Sequence, residues 1–224
     1  MNIVLIGKPG AGKGSLTQQL ISYDNTWYQL APGEVMREKM KNDNDDVAQT
    51  LRHLLGQGNY APDHITISIV KEKIANLPHN MNVIFDGFPR TAEQAKMLAE
   101  NFHVDLVIYL DTPDEVVKER LPYRLNHPAS GRVYNEITHP PINAQLDDVT
   151  HEPLIKRADD KPELIEQRIK NFFDKTYPAY QYLVNNTNMP CITIDAQLTE
   201  TEIFSIVKEH LYKISKTNKN VFNK

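Results

Sequence analysis

The chain contains a single cysteine, Cys191, among its 224 residues. One thiol cannot form an intramolecular disulfide, and a metal site made of cysteines alone is excluded. No apolar run approaches the length that spans a bilayer, and the apolar start is too short for a signal peptide. These absences predict a soluble protein of a reducing compartment. We therefore expect a cytoplasmic protein with no membrane partner.

An excess of positive charge is also absent. Lys and Arg total 25 against 29 Asp and Glu, which gives a formal net charge of −4. A general nucleic-acid surface is strongly basic, so we expect no nucleic-acid partner. No amphipathic surface stands out as a dimer face, and we expect a monomer. The length suits one domain with insertions and a substantial core.

Glycine is scarce, yet four of the nine glycines fall within eight residues near the start. The stretch at residues 7–15 reads GKPGAGKGS and follows the β-branched run at residues 3–6. A buried strand, a glycine-rich turn and a helix form a phosphate cradle, because backbone N–H groups and the helix N-terminus point at one anion. Lys13 adds a full charge. The stretch predicts a nucleoside triphosphate site.

The strict phosphate-loop pattern G-x-x-x-x-G-K-[ST] holds from Gly7 to Lys13 and then fails. Gly14 stands where a hydroxyl is required, and Ser15 comes one position late. That hydroxyl binds Mg²⁺ directly in the strict pattern, so the sequence argues against direct ligation by Ser15. An apolar run at residues 83–85 ends in Asp86, the carboxylate that usually partners such a loop beside the metal.

Apolar runs alternate with helix-period segments along the chain. We predict strands at residues 3–6, 27–30, 83–85, 106–110 and 191–194, with helices between them. This alternation predicts an α/β fold, a parallel five-stranded sheet with helices on both faces. Two segments interrupt it: a helical segment after the second strand, which suggests a flap, and a proline-containing lobe at residues 123–160.

Three helices carry side chains of interest. One begins near Thr112 and carries Arg120 and Arg124, whose i, i+4 spacing places them on one face, although Pro122 is able to end the helix first. A long helix from residue 161 to 182 carries Arg168. Gln94 fits two interpretations equally well, a ligand contact or one half of a capping box with Thr91.

With these parts placed, the sequence resembles adenylate kinases of the long-lid bacterial type over essentially the whole chain. The loop is similar to that family's loop, in which glycine after the lysine is normal. DGFPR at residues 86–90 matches its signature, and SGRVY at 130–134 and DDVT at 147–150 match its lid. The resemblance implies a P-loop nucleoside monophosphate kinase fold. It also implies reversible transfer of the terminal phosphoryl group of MgATP to AMP, giving two ADP.

The resemblance also implies a division of the chain and a set of site residues. The core would comprise residues 1–30, 62–122 and 161–224, with an AMP-binding flap at 31–61 and a lid at 123–160. Catalytic roles fall to Lys13, Arg90, Arg120, Arg124, Arg157 and Arg168. The ATP side would comprise Gly10, Ala11, Gly12, Lys13, Gly14, Ser15, Arg120, Arg124, Val133, Tyr134 and Leu198. The AMP side would comprise Pro32, Arg37, Asn59, Tyr60, Ala61, Gly87, Phe88, Pro89, Arg90, Gln94, Arg157 and Arg168. Asp86 would orient waters on Mg²⁺ rather than bind the ion directly.

Some lids of this class hold zinc through four cysteine-type ligands. The matching positions here are His127, Ser130, Asp147 and Thr150. Zinc in structural sites favours cysteine and histidine. We therefore expect no zinc and a hydrogen-bonded polar cluster with a structural role.

Departures from the family pattern leave alternatives open. Residues 31–34 read APGE where serine-threonine-glycine-aspartate is usual, so a hydroxyl contact to AMP is missing. Residues 59–61 read NYA in place of lysine-leucine-valine. Residues 122–125 keep one arginine of a usual pair, and Ala196 replaces a common glycine. A kinase for another monophosphate such as UMP or CMP is one alternative. A nucleotide-binding protein without turnover is the other.

Overall fold

The computed structural model, which describes residues 1–78 and 80–222, is built on two sheets. The strands in chain order are β1 (Asn2–Gly7), β2 (Trp27–Leu30), β3 (Asn82–Asp86), β4 (Leu106–Asp111), β5 (Arg124–Asn126), β6 (Val133–Asn135) and β7 (Cys191–Asp195). Five of them form a sheet in the order β2-β3-β1-β4-β7, and every neighbouring pair is parallel. Strands β5 and β6 form a separate antiparallel pair. The predicted fold class is confirmed, and each predicted strand appears.

Helices connect the strands and cover the sheet. They are α1 (Lys13–Tyr23), α2 (Pro32–Asn42), α3 (Asp46–Gly56), α4 (Asp63–Ala75), α5 (Ala92–Asn101), α6 (Asp114–Arg120), α7 (Pro162–Asn171), α8 (Tyr177–Asn186) and α9 (Glu200–Phe222). Local sequence explains several starts. Pro32 and Pro162 occupy the first turn of α2 and α7, where a missing N–H costs nothing. Thr199 and Glu202 form a reciprocal capping box at α9, as the sequence predicts.

The centre of the sheet is buried on both faces, because residues 3–6 of β1 and 106–110 of β4 are continuous apolar runs. Within β1, Val4 and Ile6 belong to one core cluster and Ile3 and Leu5 to another. The first cluster includes residues of α5 and α8, and the second includes residues of α1 and α9. A continuous apolar run is typical of a strand in a parallel sheet that is covered on both sides.

The predicted helix carrying both Arg120 and Arg124 is wrong. Helix α6 ends at Arg120, a 3₁₀ turn occupies Leu121–Tyr123, and Arg124 is the first residue of β5. Pro122 explains the end, since proline lacks the N–H that would continue the helix. The two arginines therefore do not share a helix face.

The long helix predicted from residue 161 to 182 is also interrupted. A π-helical turn at Phe172–Thr176 separates α7 from α8, so one extra residue enters the helical repeat. Arg168 precedes the turn and Thr176 ends it. Helix α9 continues to Phe222, where we expected a frayed polar tail from Lys216; residues 223 and 224 lie outside the described residues.

The two inserted segments have small cores of their own. Between β2 and β3, helices α2 and α3 bury Met36, Leu51 and Ala61 together. Val47, which the helical pattern places on the same apolar face, is exposed instead. Between α6 and α7, the pair β5–β6 packs Leu125 and Tyr134 with Leu154.

Candidate active site

The turn after β1 forms the floor of the site. Gly12 has a φ of 88°, a left-handed conformation that favours glycine, and α1 begins at the next residue. Lys13 Nζ donates hydrogen bonds to the carbonyl oxygens of Gly7 (2.7 Å) and Lys8 (2.8 Å). A Cβ atom on Gly14 would lie 2.9 Å from Cγ2 of Val133. Glycine therefore replaces the usual hydroxyl residue where the β6 side chain packs against the loop.

Lys13 is electrostatically strained. Burial lowers its pKa to about 7, Asp86 opposes this shift, and the guanidiniums of Arg90 and Arg124 add to it. An anion bound beside Lys13 would raise this pKa again, because a nearby opposite charge favours the protonated form. The site around Lys13 is therefore electrostatically suited to bind an anion such as a phosphate.

Six arginines converge on the same cavity, whose volume is about 510 Å³. They come from separate parts of the chain: Arg37, Arg90, Arg120, Arg124, Arg157 and Arg168. The other predicted site residues that line this cavity are Gly10, Ala11, Gly12, Gly14, Ser15, Pro32, Asn59, Tyr60, Ala61, Asp86, Gly87, Pro89, Gln94, Val133, Tyr134 and Leu198. Guanidinium groups are planar donors suited to phosphate oxygens.

One predicted AMP-binding residue is placed elsewhere. Phe88 is fully buried and belongs to the core cluster beside Phe85, with ring centroids 6.1 Å apart. Its peptide bond to Pro89 is cis. The Phe88 side chain therefore packs in the core, and its neighbours Gly87 and Pro89 line the cavity.

Carboxylates hold several of these arginines. Glu34 accepts hydrogen bonds from Arg37, at 3.1 Å from Nε and 2.5 Å from Nη2, and its Oε1 also accepts from Arg157. Burial alone would raise the pKa of Glu34, but Arg157 and Arg37 lower it. The carboxylate is therefore ionised and bridges two guanidiniums.

A second carboxylate bridges another pair. Asp160 accepts from Arg124 in a bidentate pair, at 2.8 Å from Nε and 2.6 Å from Nη2, and also pairs with Arg168. Asp159 lies 3.2 Å from Arg168 Nη1. Burial would raise the pKa of Asp159, but Arg168 and Arg37 lower it to about 2.

Gln94 is buried in the lining of the same cavity, and both atoms of its side-chain amide make hydrogen bonds. Its Oε1 accepts from the backbone N–H of Arg90 (2.8 Å), and its Nε2 donates to Asp63 (2.7 Å). Thr91 caps α5 by accepting from the Gln94 N–H at 3.2 Å. The structure has half of the capping box, because the Gln94 side chain reaches Arg90 rather than Thr91.

Asp86 ends β3 beside the loop and faces the cavity. Its Oδ2 accepts from Gln29 Nε2 at 2.8 Å, which fixes the carboxylate without neutralising it. Oxygen donors of this kind suit a hydrated Mg²⁺ ion. Ser15, by contrast, hydrogen-bonds Glu200 and helps to lower the pKa of that carboxyl, after the larger effect of His139.

Comparison with known proteins agrees with this geometry. A family model described as adenylate kinase matches residues 5–188. The curated adenylate kinase of Mesoplasma florum is 34% identical over 212 residues, covering 92% of this chain and 98% of the relative. That of Thermosipho africanus is 33% identical, covering 94% and 98%. That of Kosmotoga olearia is 32% identical, covering 95% and 98%.

The chain belongs to the adenylate kinase family. Enzymes of this family are phosphotransferases that convert ATP and AMP into two ADP, generally with MgATP as the donor. The predicted resemblance is confirmed, and so is the assignment to the kinases. None of the helices in the described part of the chain is both long and apolar enough to cross a bilayer.

The four side chains of the predicted lid cluster, at residues 127, 130, 147 and 150, are linked by hydrogen bonds. His127 Nδ1 lies 2.7 Å from Ser130 Oγ, and its Nε2 lies 3.3 Å from Thr150 Oγ1. Thr150 also donates to Asp147 at 3.0 Å. Among residues 1–78 and 80–222, no group of three or more His, Cys, Asp or Glu side chains forms a candidate metal site.

Three further residues complete that cluster and were not predicted as members. Arg132 donates to both oxygens of Asp147, at 2.7 and 2.6 Å, and Tyr134 donates at 3.0 Å. Glu152 lies 2.6 Å from His127 Nε2. Arg132 holds the pKa of Asp147 far below its usual range. Arg132 and Tyr134 lie inside the matched SGRVY motif, and this motif is the sequence feature that could have indicated their part in the cluster.

Proposed function

We propose that this chain transfers the terminal phosphoryl group of ATP to AMP by aligning the two nucleotides in the cavity lined by Lys13 and the arginines. The observation that carries the proposal is the convergence of Lys13 and six arginines from distant segments. Phosphoryl transfer needs little covalent help, and its catalysis consists mainly of positioning and charge stabilisation. A cavity rich in guanidiniums supplies both.

The ATP side lies over the loop. Residues 10–15 would hold the phosphates through backbone N–H groups, and Lys13 would contact the β and γ oxygens. Arg120 donates to the carbonyl oxygen of Ala196 at 3.1 Å, so its guanidinium is fixed beside Leu198 where the base and ribose would lie. Val133 packs against Gly14 from the β6 side.

The AMP side lies under the proposed flap at residues 31–61. Arg37, Arg90 and Arg157 would bind its phosphate. The Glu34 carboxylate occupies two of these guanidiniums in the present structure, and AMP would compete with it. Gln94 would contact the adenine edge through its amide nitrogen. That nitrogen now donates to Asp63, so AMP binding would replace this hydrogen bond.

The residues present fit a Mg²⁺ ion held through water by Asp86. With ATP bound, such an ion would supply neutralisation of the phosphate charge. Asp86 is fixed by Gln29 in an orientation that faces the cavity, so it would orient metal-bound water. Ser15 points to Glu200 instead, which agrees with its displaced position in the motif.

A lid at residues 123–160 would close over the core formed by residues 1–30, 62–122 and 161–224. His139 Nδ1 lies 3.2 Å from Glu200 Oε2 and joins the lid segment to α9. Closure excludes water, which would otherwise accept the phosphoryl group. The His127 cluster would keep the lid rigid without zinc. A monomeric state and a cytoplasmic location stay predictions, and gel filtration tests the first.

The direct test measures ADP from ATP plus AMP with the purified protein. Arg90→Ala should lower the rate about a thousandfold or more, about 4 kcal/mol, if Arg90 stabilises the transferred group as an arginine finger does. Lys96→Ala is the matched control, because it removes the same charge from an exposed position on α5. Turnover of Arg90→Ala within tenfold of wild type would contradict the role of Arg90.

Two alternatives give different results in the same assay. A panel of AMP, UMP, CMP and GMP separates an adenylate kinase from a kinase for another base, which the changes at Pro32 and Ala61 leave open. Nucleotide binding without any ADP formation would indicate a protein that has lost turnover. The presence of Lys13 and all six arginines argues against that outcome.

A further inference from the structure

The ring of Tyr60 lies beside the guanidinium of Arg90. The guanidinium carbon is 5.1 Å from the ring centroid, a distance typical of a cation–π contact. Tyr60 lies in the flap segment, whereas Arg90 follows β3 in the core. The contact therefore joins two parts of the chain at one of the proposed AMP-phosphate ligands.

The tyrosine hydroxyl is anchored in the core. It lies 2.9 Å from Oγ1 of Thr176, which is buried at the end of the π-helical turn. Thr176 Oγ1 in turn lies 3.3 Å from the carbonyl oxygen of Arg90. The ring is thus fixed at its tip by a residue that also contacts the Arg90 backbone.

Arg90 is confined on another side by Gly87. Its Nε donates to the Gly87 carbonyl oxygen at 2.8 Å. A Cβ atom on Gly87 would lie 2.9 Å from Arg90 Nη2, and Gly87 has a φ of 66°. Glycine is therefore required for the guanidinium to lie against the backbone here, and the Tyr60 ring supplies a second surface.

We propose that Tyr60 is a positioning residue that orients the Arg90 guanidinium for the AMP phosphate. This inference rests on the proposed function. A leucine at this position would offer neither an aromatic face for Arg90 nor a hydroxyl for Thr176.

The test compares Tyr60→Leu with Tyr60→Phe, which keeps the ring and removes only the anchor. AMP affinity is measured by calorimetry, and kcat and KM for each nucleotide in the ADP assay. We expect Tyr60→Leu to weaken AMP binding about tenfold and to leave the KM for ATP within about twofold, given the energy of a desolvated cation–π contact. Tyr60→Phe should lose about threefold or less.

A double-mutant cycle decides whether Tyr60 acts through Arg90. In an Arg90→Ala background, Tyr60→Leu should change AMP affinity by about twofold or less. An equal loss in both backgrounds would overturn the proposal, because Tyr60 would then contact AMP itself. An unchanged AMP affinity in the single Tyr60→Leu variant, with an unchanged melting temperature, would also overturn it. Failure of the wild type to form ADP would instead refute the proposed function.

Discussion

Binding of ATP at pH 8 should draw a proton onto the protein at Lys13. In the nucleotide-free chain, burial lowers the pKa of Lys13 to about 7. About nine-tenths of the molecules are therefore neutral at this position at pH 8, and about one-tenth at pH 6. Contact with phosphate oxygens favours the charged form and raises the pKa again. The structure thus predicts uptake of about 0.9 proton at pH 8 and about 0.1 at pH 6.

Calorimetry measures this uptake directly. ATP is titrated without AMP in two buffers of different ionisation enthalpy, and the difference in heat gives the number of protons. Lys13→Arg is the matched control, because arginine stays charged at both pH values. Protons released by ATP itself are common to both proteins and cancel. Equal uptake by the wild type and Lys13→Arg at pH 8 would refute the reasoning.

The same shift has a consequence for stability. Between pH 7 and 10.5 the unfolded chain binds more protons at Lys13 than the folded chain does, so the Lys13 contribution makes stability rise with pH in that window. Lys13→Met should remove this part of the pH dependence. Parallel stability curves for the two proteins between these pH values would contradict it.

Three other changes test other parts of the site. Glu34→Gln removes the carboxylate that competes with AMP for two guanidiniums. The KM for AMP should fall about fivefold, since a partly exposed ion pair contributes about 1 kcal/mol. A higher KM would show that Glu34 assists AMP binding. Asp147→Asn leaves Arg132 without its ionic partner. The free energy of local opening of residues 123–160, measured by hydrogen exchange, should fall by about 2 kcal/mol. Unchanged protection of these amides would contradict a structural role for Asp147. Gly14→Ser should raise the KM for ATP although it restores the strict motif, with partial rescue by Val133→Ala; an unchanged KM would refute the steric argument.

The sheet and the phosphate loop were predictable because their signals are local. A strand in a covered parallel sheet is a continuous apolar run, and the loop is a short glycine-rich stretch that contains a lysine. Both patterns depend on residues adjacent in sequence. The five strands therefore agree with the sequence to within a residue or two.

The carboxylate partners of the arginines could not be predicted. Glu34 and Arg157 are 123 positions apart, and no spacing rule brings them together. Glu34 was noticed only as a departure from a family pattern. Asp160 likewise contacts both Arg124, which lies 36 positions earlier in the chain, and Arg168. Such contacts are properties of the tertiary structure.

The errors in local structure have physical causes as well. Helix periodicity extended α6 to Arg124, but Pro122 ended it earlier. The π-helical turn before Tyr177 adds one residue to a helical repeat. The pattern of apolar positions in the sequence does not reveal such an insertion. The matched motif at residues 86–90 likewise does not show that the side chain of Phe88 belongs to the core.

A crystal structure with a bisubstrate analogue, two adenosines joined by a chain of phosphates, tests the central claim most directly. We predict that Lys13 Nζ and the guanidiniums of Arg90, Arg124, Arg157 and Arg168 lie within about 3 Å of the phosphate oxygens. Guanidiniums that remain on Glu34 and Asp160, or point into solvent, with the analogue bound would contradict it.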